Sequence, residues 1–178
     1  MNKPVDKTSF WRERLFRAIA FGKDLHTVIY DVDIKLWQKV QTETHNILAR
    51  EMLRGNARNL LDVGCGYGAL YDVIPDSYGL RYVGVDLSPE LIEIALLRNP
   101  KVNFIAGDIR SVVNEQLKGC RFDAIVIRSF KDMIVGSLGL GAWEEIREAM
   151  SKLSRRLINI EYGSPDKPGE VTYTTEKL

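Results

Sequence analysis

The chain has 178 residues, 45% hydrophobic and 28% charged, with a formal net charge of +1. That length suits one domain whose core needs no disulfide or metal staple, and the apolar content excludes a disordered chain. Near-zero charge excludes a protein coated in nucleic acid over its whole surface, and no run of about 18 apolar residues offers a membrane span.

Charge is uneven along the chain. Residues 1–58 carry 11 Lys/Arg against 7 Asp/Glu, whereas residues 59–149 carry 9 against 13. The N-terminal basic excess reads as a solvated helix face. Met1–Ser9 is polar and lacks a signal-peptide core, so a cytoplasmic location is expected. Cys65 and Cys120 lack metal-ligand spacing. Both read as reduced, buried small residues, and no metal is expected.

In chain order, Phe10, Trp11, Leu15, Ala18 and Ile19 recur at helical steps, with Arg12, Arg14 and Arg17 among them. They predict an amphipathic helix ending near Gly22. A second helix carries Ile34, Trp37, Val40, Thr44, Ile47 and Leu48 on one face. Asp31 or Asp33 is its N-cap and Gly55 its C-cap. From Asn59 the texture changes to short apolar runs: Asn59–Val63, Arg81–Val85, Val102–Ala106, Phe122–Ile127 and Leu157–Tyr162. Such runs suit parallel strands covered on both faces. Helical segments are expected at Ala69–Ile74, Pro89–Leu97, Ser111–Leu117 and Ala142–Leu153. The alternation predicts an α/β fold with a doubly wound, mostly parallel sheet. The segment Phe130–Gly141, with glycines at 136, 139 and 141, reads as a mobile flap. Turn residues 164–169 precede an alternating run, Glu170–Thr175, expected to add an antiparallel strand to the fifth strand.

The chemistry concentrates at strand ends. Asp62-Val63-Gly64-Cys65-Gly66-Tyr67-Gly68-Ala69 carries a strand into a glycine turn that opens toward a helical segment. Such a turn lets a ligand approach backbone N–H groups. Alone, Gly64-x-Gly66-x-x-Ala69 also fits a dinucleotide fingerprint. The second strand ends in Asp86, an acid suited to ribose hydroxyls. The third ends in Gly107-Asp108-Ile109 and the fourth in Arg128-Ser129-Phe130. All converge at the carboxyl edge, where doubly wound sheets bind ligands.

With Phe122-Asp123-Ala124-Ile125-Val126, these segments resemble the motif series of class I S-adenosylmethionine-dependent methyltransferases, over about residues 57–162. The resemblance implies S-adenosylmethionine as cofactor, S-adenosylhomocysteine as product, and a Rossmann-like fold. By that resemblance, Asp62 and the loop Gly64, Cys65, Gly66 and Gly68 lie along the amino-acid part of the cofactor. Asp86 holds the ribose hydroxyls, with Leu87 beside the adenine. Asp108 takes the adenine amino group near the Ile109 backbone. Arg128, Ser129 and Phe130 face the methyl donor and acceptor. An activated sulfonium methyl needs mainly alignment and exclusion of water. Arg128, Tyr30 and His26 are the catalytic candidates, and Tyr162 is a candidate acceptor-pocket wall. Asp123 reads as structural.

Several chemistries lack their motifs. No Asn/Asp-Pro-Pro-Tyr follows the fourth strand, no Pro-Cys offers a C5 nucleophile, and no Walker Gly-Lys-Ser/Thr is present. The organisation expected is a helical lid or extension over residues 1–56 and a cofactor-binding α/β unit over 57–178, short at its C-terminal side. A small-molecule methyl acceptor is favoured, in a monomer or homodimer with no membrane attachment. Alternatives are methylation of RNA, DNA or protein, or a non-catalytic cofactor-binding member of the fold. A nicotinamide oxidoreductase stays open on the glycine pattern alone.

Overall fold

The computed structural model describes residues 33–74, 78–163, 167 and 170–178. The first expected helix, with Arg12, Arg14 and Arg17, and the candidates His26 and Tyr30 lie outside the described residues.

Helix α1 spans Ile34–Gly55. Its N-cap is Asp33, whose Oδ1 accepts the N–H groups of Lys35 at 2.9 Å and Leu36 at 3.3 Å. These are orphan donors that the first helical turn cannot satisfy itself. The left-handed residue at its end is Asn56 (φ 45°) rather than Gly55. Asparagine tolerates that conformation, so the cap lies one residue beyond the glycine. A stripe of Trp37, Gln41, Thr44, Leu48 and Glu51 is buried along one face.

Six strands follow: β1 Asn59–Val63, β2 Arg81–Asp86, β3 Asn103–Ala106, β4 Ala124–Arg128, β5 Arg156–Tyr162 and β6 Val171–Lys177. They form one sheet in the order β3-β2-β1-β4-β5-β6. All pairs are parallel except β5 with β6, which run antiparallel with Ile160 opposite Tyr173. The expected doubly wound sheet and its antiparallel closing strand are both present.

Alternation divides the core into two layers. Leu61, Val63, Ile125, Ile127 and Leu157 face one side, where they pack on Ile134, Trp143, Ile146 and Met150. Leu60, Tyr82, Val126, Ile158 and Ile160 face the other, under Ile47, Leu48 and Met52 of α1 and Ile92 and Ala95. The covering helices are α2 Pro89–Arg98, α3 Ile109–Val112, α4 Phe130–Leu138 and α5 Leu140–Ser151. Ser88 caps α2 through its hydroxyl, which accepts the Leu91 N–H.

Three expectations need correction. Ala69–Ile74 is no α-helix, only a 3₁₀ turn over Tyr71–Val73. The segment is too short to repay helix nucleation. Ser111–Leu117 contributes only its first residues to α3, which begins earlier, where Asp108 caps it. The flap over Phe130–Gly141 is instead helix α4. Each glycine costs a helix about 1 kcal/mol, but burial of Ile134 in the core offsets that cost. Gly139, at φ 87°, makes the break between α4 and α5. Cys65 is buried as expected, whereas Cys120 is partly exposed, and both are free thiols. Among the described residues, no helix is long and apolar enough to cross a membrane.

Candidate functional site

The glycine turn is tied to the sheet edge. Gly64 and Cys65 donate their N–H groups to the Val85 carbonyl at 2.8 and 3.1 Å. Gly64, Gly66 and Gly68 all have positive φ (78°, 56° and 80°). At Gly64 the requirement is double: a Cβ there would stand 2.6 Å from Cδ2 of Phe130. The ring of the first α4 residue therefore lies against the turn. Trp37 of α1 packs with Tyr67, Ala69 and Leu91, so α1 covers the turn from the other layer.

Asp86 ends β2 beside this turn. Its Oδ2 accepts the Gly66 N–H at 2.8 Å, and its Oδ1 accepts the Ser88 N–H at 2.9 Å. Burial pushes its carboxyl up, opposed by the backbone N–H groups of Ser88, Gly66 and Leu87. A carboxylate offers about four acceptor sites, so these hydrogen bonds leave it acceptor capacity for a ligand. Leu87, the next residue, is 60% exposed.

Asp62 is fully buried on the α1 side of the sheet. The Tyr82 hydroxyl donates to its Oδ2 at 2.6 Å. Arg128 Nη2 lies 3.9 Å from the same oxygen, and Arg128 Nη1 donates to the Tyr162 hydroxyl at 3.4 Å. Asp62 Oδ1 is buried without a hydrogen-bond partner. Burial pushes the Asp62 carboxyl up, against the Arg128 charge and the Tyr82 hydroxyl. Burial, with Asp62 and Asp86 nearby, also drives the Cys65 thiol well up. A protonated thiol is no nucleophile, so Cys65 serves as packing.

Asp108 caps α3 by accepting the Arg110 N–H at 2.9 Å. The Arg110 guanidinium closes over the same carboxylate: Nε lies 3.0 Å from Oδ1 and 3.1 Å from Oδ2, and Nη2 donates to Oδ2 at 2.5 Å. Arg110 Nη1 also donates to Glu145 of α5 at 2.7 Å. The Arg110 hydrogen bond holds the Asp108 carboxyl below its ordinary value. Ile109 is buried in the core, leaving its backbone as its contribution at the edge.

Ser129 closes β4 in a left-handed conformation (φ 48°) and donates its N–H to the Ile160 carbonyl at 2.8 Å. Serine in that region is strained, and such residues cluster at functional sites. Asp123 lies at the opposite, amino end of the sheet. Its Oδ2 accepts the N–H groups of Arg58 at 2.6 Å and Asn59 at 2.8 Å, which fits its structural reading.

The sheet thus brings Asp62, the glycine turn, Asp86, Leu87, Asp108, Arg128 and Ser129 to one carboxyl edge. Sequence reasoning missed Tyr82 and Arg110. Tyr82 was findable from register: β1 and β2 pair Leu60 with Tyr82 and Asp62 with Gly84, which puts Tyr82 and Asp62 diagonally on one face.

Comparison with known proteins agrees with this architecture. The family model described as "Methyltransferase domain" matches residues 60–158. The chain is 31% identical over 112 residues to a malonyl-[acyl-carrier protein] O-methyltransferase of Halalkalibacterium halodurans, covering 60% of this chain and 41% of that protein. It is 29% identical over 131 residues to a demethylmenaquinone methyltransferase of Chlorobaculum tepidum, covering 73% and 46%. The chain thus spans less than half the length of either curated relative. A solved S-adenosylmethionine-dependent methyltransferase from Clostridium acetobutylicum superposes with a TM-score of 0.58 at 20% identity, covering 83% of this chain and 58% of that one. The amino pentose methyltransferase CalS10 from Micromonospora echinaspora, solved with S-adenosylmethionine bound, gives 0.52 at 26% identity, covering 72% and 53%. A mostly parallel sheet with this strand order, a glycine turn after β1 and acids ending β1 to β3 accompany a family match over more than half the chain: the protein belongs to the methyltransferase domain family.

Proposed function

We propose that the chain binds S-adenosylmethionine at the carboxyl edge of β1, β2 and β3 and transfers its methyl group to a small-molecule acceptor. The observation that carries this reading is Asp86. Its oxygens each accept one backbone N–H, from Gly66 and Ser88, and the carboxylate retains acceptor capacity. Such capacity on one rigid carboxylate suits the two donors of a vicinal ribose diol. Other features fit the cofactor as well. The buried Asp62 Oδ1 lacks a donor, and the exposed Leu87 offers an apolar contact.

When bound, the sulfonium supplies an already activated methyl group. The chain's own contribution is then binding, orientation and exclusion of water. Asp86 orients the ribose. Arg128 acts as a positioning residue, since its charge and its bond to Tyr162 hold Asp62 from the β4 side. Ser129 and Phe130 close the β4 end over the turn. Trp37 supports the assignment of α1 as part of a covering lid, because it packs on Tyr67 and Ala69. Asp108 reaches adenine only by giving up part of its Arg110 fork. A small-molecule acceptor is supported by the quinone-type substrate named for the Chlorobaculum relative and the amino pentose named for CalS10.

Calorimetry with S-adenosylhomocysteine tests the cofactor site. Asp86→Ala should weaken binding at least about tenfold, since each lost hydrogen bond to a charged group is worth about 1.5–3 kcal/mol. Unchanged affinity refutes the ribose assignment. Labelled methyl groups from S-adenosylmethionine, offered to a cell extract, should appear in the small-molecule fraction. Label confined to RNA or protein refutes the acceptor class.

A further inference from the structure

The carboxyl ends of β4 and β5 lie side by side, since the Ser129 N–H donates to the Ile160 carbonyl at 2.8 Å. Leu157 of β5 packs in the layer under α4 and α5, whereas Ile158 and Ile160 pack in the opposite layer. Alternation therefore puts Asn159 and Glu161 on the α4 side. Strand pairing sets Ile127 and Thr174 on either side of Asn159, and Thr172 beside Glu161. A strand that is apolar at Leu157, Ile158 and Ile160 thus turns polar on one face, at the end nearest Ser129.

Buried polar atoms without partners are rare in folded proteins, and each calls for an explanation. Asn159 is 6% exposed, and its Oδ1 has no hydrogen-bond partner. Oε1 of Glu161 is buried without one as well. The two side chains touch, because the Asn159 amide donates to the Glu161 carboxylate. Both unpartnered atoms are acceptors. Charge points the same way. Burial and then Asp132 of α4 push the Glu161 carboxyl up, opposed by the Asn159 hydrogen bond and Lys131. Lys131 is turned elsewhere: its Nζ stands over the Trp143 ring of α5, 5.6 Å from the centroid. Two carboxylates and an amide oxygen therefore share one basic group that is held on an aromatic ring. Phe130 lies against the glycine turn, so the first turn of α4, which carries Asp132, joins this cluster to the proposed cofactor edge.

We propose that Glu161, Asn159 and Asp132 anchor a protonated amine of the methyl acceptor at the β4–β5 end of the site. The inference rests on the methyltransferase reading above and names its acceptor class: a small molecule with an ammonium group and a separate nucleophilic atom. An ammonium brings three N–H donors, a positive charge and no acceptor. It satisfies Glu161 Oε1 and Asn159 Oδ1 and balances Asp132. A hydroxyl brings one donor and no charge, and an anion is repelled by both carboxylates. Among the described residues, no group of three His, Cys, Asp or Glu side chains is placed to hold a metal ion, which favours an organic cation. Glu161 is only partly buried, so rotation among its staggered side-chain conformers presents the carboxylate to a ligand without moving the strand. A protonated amine has no free electron pair and does not attack the methyl group. It fixes the molecule while another of its atoms meets the donor.

The test titrates the full chain with n-butylammonium and with 1-butanol, which share a carbon chain and differ in charge. The Asn159 side-chain amide is followed by NMR. The amine should shift that resonance and the alcohol should not; equal shifts from both, or none from the amine, overturn the anchor. Glu161→Gln keeps volume and removes charge, and should weaken the amine about five- to tenfold. Unchanged affinity in a variant with a wild-type melting temperature overturns the role of Glu161. Lys131→Gln removes the competing cation and should strengthen amine binding about two- to fivefold; unchanged or weaker binding overturns the electrostatic argument. When a cell extract is labelled from S-adenosylmethionine, the labelled small molecules should be retained on a cation exchanger at pH 7. Label confined to the flow-through overturns the acceptor class. Calorimetry with S-adenosylhomocysteine separates the two readings. If it binds and the amine does not, the anchor alone falls; if it does not bind the wild-type chain, the cofactor reading falls and takes the acceptor role with it.

Discussion

Gly64→Ala separates two physical demands that coincide in the glycine turn. The native φ of +78° lies in the left-handed region, which costs an L-residue with a Cβ about 1–2 kcal/mol. The added carbon would stand 2.6 Å from Cδ2 and 3.2 Å from Cε2 of Phe130. Ordinary carbon contacts lie near 3.5–4.0 Å, so the ring or the turn must move by about an ångström. Overpacking of that kind costs about 1–3 kcal/mol. The sum is about 2–5 kcal/mol, and at roughly 2–4 °C per kcal/mol for a chain of this size the melting temperature should fall by about 4–20 °C. Gly79→Ala is the control: φ is +56° with nothing within 4 Å of the added carbon, so only the backbone cost of about 1–2 kcal/mol applies. A double-mutant cycle then isolates the ring. Adding Phe130→Ala to Gly64→Ala should recover about 1–3 kcal/mol relative to additivity. Thermal and urea unfolding measure all four proteins. A Gly64→Ala variant that melts within about 2 °C of wild type refutes the reasoning, and zero coupling to Phe130 refutes the steric part.

Two further outcomes follow from charged pairs. Burial alone would push the Glu51 carboxyl up, but Arg156, with Thr175 and Arg54, holds it below its ordinary value of 4.5. An acid so depressed contributes stability above its unfolded pKa and loses it as pH falls below that value. Glu51→Gln should therefore cost about 3 kcal/mol at pH 7, and the gap to wild type should close as pH drops below about 4.5; a gap that widens on acidification refutes the sign. Arg110→Ala should release Asp108 from its fork. On the proposed adenine role, it should raise the preference for S-adenosylhomocysteine over its inosine analogue by at least about fivefold in calorimetric competition; an unchanged ratio shows that Asp108 does not read the amino group.

The sheet was legible because its strands are buried on both faces. Asn59–Val63 carries Leu60, Leu61 and Val63 between turn and glycine residues, as a buried parallel strand should, and it forms β1 at the same boundaries. The strand-end acids Asp62, Asp86 and Asp108 were legible for a related reason: a polar residue ending an apolar run marks the edge. Helix α4 was not legible, because Gly136 and Gly139 obscure a segment that folds through the burial of Ile134. The partners of the acids were also hidden. Tyr82 reaches Asp62 through strand register, and Arg110 turns back on Asp108 through side-chain conformation. Neither is a property of local sequence spacing.

The three acids differ because of where their strands lie. β1 is interior, β2 stands next to the edge and β3 is the edge strand. Asp62 on β1 is fully buried, answered by a tyrosine hydroxyl and an arginine. Asp86 on β2 is held by two backbone N–H groups that belong to the turns themselves. Asp108 after β3 is held by the partly exposed side chain of Arg110, which also donates to Glu145. Burial pushes the first two carboxyls up, whereas Arg110 pulls the third down. Rigidity therefore falls from the centre of the sheet toward its edge. A backbone-held carboxylate can demand a fixed geometry from a ligand, since moving it means moving the sheet. A carboxylate held by a half-exposed arginine can trade partners at a cost near that of a surface ion pair, about 0–1 kcal/mol. On the proposed function, selectivity should be strictest at the amino-acid and ribose ends of the cofactor and loosest at the purine. That ordering follows from strand position alone.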